Sequence, residues 1–264
     1  MAGGGYLLFS DYRKSRRYKW EPGNGVTLVQ EPTNEGNGQT RDPQGRLIVC
    51  ERAGRRVTRM EHDGSVTVMA SRYRGLRLNK PNDVVAKSDG SIYFTDPGAP
   101  DPDLDLDIAG VYRISPDRGA LTLLVRDFVF PNGLAFAPDE SVLYIIDTQR
   151  RQIRAFDLHP NGMLALGTDR VFFQFPKSEI SGLADGMKVD VEGNVYSTGP
   201  GGVWILDPNG KHLGTISTGA KFHTNLAWGG DDWKTLFITT HETLSRIQMK
   251  VPGVPVPHKK PAAK

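Results

Sequence analysis

Short apolar runs separated by polar turns fill this chain, and helical spacing of apolar side chains is almost absent. No stretch of about twelve residues places apolar side chains at i, i+3, i+4 and i+7, the pattern an amphipathic helix needs. Runs such as LIVCE, IYFTD, LYIID, VYSTG and LFITT are instead strand-length, β-branched and aromatic. Each is followed by a further strand-like run: RVTRME, GVYRIS, QIRAFD, GVWILD and LSRIQM.

These runs fall into a repeat. Residues 36–47, 81–92, 131–143, 184–195 and 224–236 align, and each carries Asn or Asp at its second position: Asn37, Asn82, Asn132, Asp185 and Asn225. The spacings are 45, 50, 53 and 40 residues. A period of this size with about four short strands per unit predicts β-propeller blades. The GH and WD pairs of a WD40 array are missing. YLLFSD, RRYKW and VTLVQ at the front supply three strands of one more blade. The predicted fold is therefore all-β, a single six-bladed β-propeller over 1–250. The innermost strand of blade one and the outer closing strand of blade six are missing from it. Residues 251–264, rich in Pro and Lys, read as an unpacked tail.

Composition sharpens this only in places. The 264 residues are 38% hydrophobic and 24% charged, as in ordinary globular proteins, and 30 Gly with 18 Pro agree with many turns. A net charge of +3, scattered over small basic runs, makes no case for nucleic acid. One cysteine, Cys50, excludes an internal disulfide and a Cys-based zinc site, and its apolar run marks it as core packing. No apolar run is long enough to span a membrane, and no leader is visible, so the expected location is cytoplasmic.

The first strand of a propeller blade lines the central channel, so the five repeated Asn and Asp residues are expected to form a ring of oxygens. A turn preference of Asn and Asp explains the repetition equally well. If the ring binds, oxygens without Cys or clustered His favour a hard divalent cation, Ca2+ before Mg2+. Asp185 is its single carboxylate and the candidate base. HETL lacks the second His of a zinc motif, DPDLDLDIAG lacks the Gly and Glu of an EF-hand and reads as an exposed loop, and GPGG precedes a strand rather than a helix. His223 reads as an ordinary hydrogen-bonded histidine, and no Gly-x-Ser-x-Gly elbow is present.

At NKPNDVVAKSDGSIYFTDP, FPNGLAFAPDESVLYIIDT, ADGMKVDVEGNVYSTGPGGVWILDPNGK and NLAWGGDDWKTLFIT the chain resembles the gluconolactonase, regucalcin and diisopropylfluorophosphatase family. The resemblance runs from GYLLFSD to LSRIQMKVPG. It implies a divalent ion, usually calcium and otherwise Mg2+, Mn2+ or Zn2+, with Asn132 and Asp185 as ligands and Asn82 binding the ion or orienting substrate and water. Lys80 falls where some members place a basic substrate contact. The implied reaction is hydrolysis of a small lactone or ester. Two departures stand out. The family's Glu in an EGPxW-like motif before YLLFSD has no counterpart, and Lys188 stands where some relatives carry an Asp for a second calcium. The missing strand and its Glu open two further expectations: without the Glu, a propeller that binds without catalysis, and, from the unpaired edges of blades one and six, a homodimer that closes them.

Overall fold

The computed structural model describes residues 5–98 and 103–257. It divides into two compact units, one over 5–128 with 256–257 and one over 129–255. Asp101 of the acidic loop and the tail from residue 258 onward lie outside the described residues.

The first unit holds three antiparallel meanders. The first consists of β1 (Leu7–Asp11), β2 (Arg16–Glu21) and β3 (Gly25–Gln30). The second consists of β4 (Gly36–Arg41), β5 (Leu47–Glu51), β6 (Arg56–Met60) and β7 (Val66–Ala70). A short hairpin, β8 (Arg72–Tyr73) and β9 (Leu76–Arg77), leads to the third. That one is β10 (Val84–Ala86), β11 (Ile92–Asp96), β12 (Gly110–Ile114) and β13 (Leu121–Val125). The second unit repeats the plan. Its sheets are β14 (Pro131–Phe136), β15 (Val142–Asp147), β16 (Gln152–Asp157) and β17 (Arg170–Gln174), then β18 (Met187–Val189), β19 (Val195–Gly199), β20 (Gly202–Leu206) and β21 (His212–Ile216). A sheet of β22 (His223–Gly229), β23 (Thr235–Thr240) and β24 (Leu244–Gln248) completes it. A single 3-10 turn at Leu166–Thr168 is the only helical element among the described residues.

The strands follow from their side chains. β11 and β19 are buried at every position: their apolar residues pack on the neighbouring sheets, and Thr95, Asp96, Ser197 and Thr198 are buried with hydrogen-bond partners. The turns between first and second strands share one device. The Oδ1 atoms of Asp42, Asp89, Asp139, Asp190 and Asp232 each accept the backbone N–H two residues on. That local bond makes Asp a turn former, which is why the repeat was visible in the sequence.

Sheets pack through their faces. In the first unit, Ile48, Cys50, Val57, Leu78, Phe94 and Tyr112 form one cluster. In the second, Ile146, Ile153, Phe175, Met187, Val195 and Leu206 form another, and Tyr196, Val203, Leu226, Trp228 and Ile238 a third. Fully burying each large side chain contributes roughly 1.5–3 kcal/mol.

Two expectations need correction. The segment after 250 is not wholly unpacked. Gly253 N–H donates to the Trp233 carbonyl, Val191 N–H to that of Pro252 and Val254 N–H to that of Val189, while Gly253 packs on the Trp228 ring. Small and apolar residues there cover an indole, which outweighs the disorder suggested by Pro and Lys. The acidic loop, in turn, is only half exposed. Asp103, Asp105 and Asp107 face solvent, but Leu106 joins the core cluster of the first unit. The first and sixth sheets have three strands each among the described residues, as the strand runs predicted.

Candidate functional site

In the second unit, Asn132 and Asp185 stand at the openings of neighbouring inner strands. The Gly133 N–H donates to the Asp185 carbonyl at 2.8 Å. A side chain at Gly133 would run into that carbonyl and the backbone of Gly186, so only glycine lets the strands approach this closely. Thr148 ties the same two places by its hydroxyl, which accepts from Asn132 Nδ2 at 3.0 Å and donates to the Ala184 carbonyl at 2.6 Å. Asp185 N–H donates to Thr198 Oγ1 at 2.8 Å, and that hydroxyl donates to the Leu183 carbonyl. Asn132 is buried and Asp185 half-buried.

Asn225 behaves differently. Its carboxamide oxygen accepts from its neighbour's N–H at Leu226 and from Lys188 Nζ at 3.4 Å, while Lys188 Nζ also donates to the Met187 carbonyl. Lys188 thus places a cation among these inner strands.

In the first unit, Asn82 is buried and Lys80 half-buried. Asn37 Nδ2 donates to Asn82 Oδ1 at 2.6 Å, and Gly38 N–H donates to the Asn82 carbonyl at 2.9 Å. Asn37 therefore orients Asn82. Asp83 acts locally, as its Oδ1 accepts the Val84 N–H and its own N–H donates to Thr95 Oγ1.

The threonines went unrecognised in the sequence. Thr95, Thr198 and Thr239 each accept the N–H of a residue at a strand opening, and Thr148 accepts an Asn132 side-chain N–H. Their signal was the recurrent Thr at the end of the second strand: IYFTD, YIIDT, VYSTG, FITT.

Other candidates resolve as structure. His223 is buried with Nε2 against Thr218 Oγ1 at 2.8 Å, and desolvation holds its pKa below the ordinary histidine value. Burial, first, and the charges of Asp83 and Asp96 push the Cys50 thiol well up, away from thiolate chemistry.

The donor chemistry at Asn132 and Asp185 is one carboxamide and one carboxylate, oxygens that suit a hard cation. Among the described residues no three His, Cys, Asp or Glu side chains cluster, so a cation site here would depend on amide oxygens.

Comparison with known proteins decides the lineage. The family model for the SMP-30/gluconolactonase/LRE-like region matches residues 1–242. The chain belongs to the SMP-30/gluconolactonase/LRE-like family. A gluconolactonase of Zymomonas mobilis is 32% identical over 277 residues, covering 95% of this chain and 77% of that protein. A solved gluconolactonase of Xanthomonas campestris superimposes with a TM-score of 0.83 at 35% identity, covering 94% of this chain and 82% of that one. A calcium-binding regucalcin of Agrobacterium tumefaciens matches at a TM-score of 0.79 and 20% identity, covering 97% of this chain and 90% of that one. That last likeness shows the fold, a six-bladed β-propeller. Like these SMP-30/gluconolactonase relatives, the chain is a lactonase-type hydrolase. The reading as a propeller without catalysis is not favoured.

Proposed function

We propose that this protein opens a small lactone, of sugar type or otherwise, by adding water across its ester bond, with a divalent ion held by Asn132 and Asp185. The observation that carries this is the Gly133–Asp185 backbone bond, which draws the strand that opens at Asn132 against the one that opens at Asp185. Bound there, Ca2+, or Mg2+, Mn2+ or Zn2+ in its place, would polarise the lactone carbonyl and lower the pKa of a nearby water.

The chain's own residues do the rest. Asp185 is the group to take a proton from the attacking water. The water oxygen bonds to the carbonyl carbon, the ring C–O bond breaks, and the proton ends on the freed hydroxyl. Asn82, held by Asn37, and Lys80 orient the substrate, Lys80 by its positive charge and Asn82 by its amide.

Calorimetric titration with calcium, and gluconolactone hydrolysis by the native protein and by Asp185→Ala, test this reading. Heat of binding and turnover should both be lost in the variant. Turnover that survives a chelator and the substitution would refute it.

A further inference from the structure

The second strands of two blades end in a carboxylate that reaches back to the segment before the repeated Asn. Asp147, closing β15, accepts the N–H groups of Val129 and Phe130 at 2.9 and 3.2 Å. Those residues lie three and two positions before Asn132, with Pro131 between. Asp96, closing β11, accepts the N–H of Asn79 at 2.8 Å and also that of Lys80. Those residues lie three and two positions before Asn82, with Pro81 between. The same grip recurs on N-K-P-N and V-F-P-N.

The surroundings fix Asp96. It is fully buried, and so are Asn79 and Tyr112. In the β11–β12 ladder Phe94 faces Tyr112 and Asp96 faces Gly110, so all three side chains share one face of the sheet. The Tyr112 ring stacks on Phe94 and lies over Gly110, where any side chain would meet its phenol end. Asn79 is held from its other side, because its Nδ2 donates to the Ile108 carbonyl at 2.8 Å. Asp96 cannot turn away from the two amides without clearing a packed ring.

We propose that Asp96 is a positioning residue of the enzyme: its carboxyl clamps the backbone of Asn79 and Lys80 and thereby sets where Lys80 and Asn82 meet the substrate. The proposal builds on the reading of Lys80 and Asn82 as substrate contacts. Proline between them transmits the clamp, since its ring removes one backbone rotation.

Assayed above the pH at which the buried carboxyl ionises, Asp96→Asn keeps the shape and removes the charge that two N–H groups share. Loss of one charge-assisted hydrogen bond corresponds to about a tenfold rise in KM for gluconolactone, with kcat within about twofold. A merely structural carboxylate would lower the melting temperature and leave KM unchanged, and that result overturns the clamp. Lys80→Met in the same assay separates the claims. A rise in KM there without one in Asp96→Asn refutes the clamp alone, whereas no change in either variant refutes both. Should Asp96→Asn fail to fold, amide hydrogen exchange on the native protein decides. The Asn79 and Lys80 amides should exchange as slowly as strand amides, and exchange at loop rates overturns the proposal.

Discussion

The Gly133 N–H and the Asp185 carbonyl are joined at 2.8 Å, and this bond leaves no room for a side chain on residue 133. Gly133→Ala must therefore push the two inner strands apart. Overpacking of this kind costs roughly 1–3 kcal/mol. The larger effect should be on function, because Asn132 moves with it: calcium affinity and gluconolactone turnover should fall by about a hundredfold or more. Parallel calorimetry and kinetics measure both. A variant with normal turnover would show that the strand spacing does not matter to the site.

Thr198 carries Asp185 by its hydroxyl, accepting the Asp185 N–H and donating to Leu183. Thr198→Val keeps the shape and strands both groups. Leaving a buried polar group unpaired costs about 1–3 kcal/mol. The expected outcome is a lower urea midpoint together with reduced kcat, because the candidate base loses its backbone anchor. Unchanged kcat in a destabilised protein would assign Thr198 to stability alone.

Burial raises the Asp96 carboxyl from 3.8 to about 7, against the opposing pull of its two backbone bonds and the charges of Arg55 and Arg52. Tyr112 and Cys50 also face this charge. A folded-state value above the unfolded one means stability present at acid pH and lost as pH rises from about 4 through 7. His223, whose value is lowered by burial, acts in the opposite sense. The comparison must therefore be between native protein and variant. Between pH 5 and 8, Asp96→Asn should lose less stability than the native chain in urea titrations. Parallel curves would show that Asp96 does not titrate in this range.

Arg55 straps the acidic loop. Its Nε donates to the Leu78 carbonyl at 2.7 Å and its Nη1 to that of Asp103 at 3.3 Å, with Asp105 at 3.5 Å. Arg55→Ala should free residues 103–108 and expose Leu106. Limited proteolysis should then cut within this loop at least about tenfold faster, at a cost to global stability of roughly 1–2 kcal/mol. Equal cutting rates would mean that Leu106, with the bonds from Asn79 to Ile108 and from Arg77 to Asp105, holds the loop without Arg55.

The strands, their order and the repeated position were legible in the sequence, because each rests on local chemistry. Short apolar and β-branched runs made buried strands, as in IYFTD and VYSTG, and Asp residues made turns by bonding their own backbone. Asn132, Asp185, Asn82 and Lys80 could be singled out for the same reason: they recur in register or match a family motif. What each repeated residue does was not legible. Asn37 serves Asn82 and Asn225 is engaged by Lys188, although both hold the same register position as Asn132. Those assignments depend on which strand lies alongside, and so do the grip of Asp96 on Asn79 and the seat of Gly253 on Trp228. Local propensity reaches only a few residues along the chain. Contacts between residues 17 to 45 positions apart arise when strands and sheets pack, and only the tertiary structure decides them.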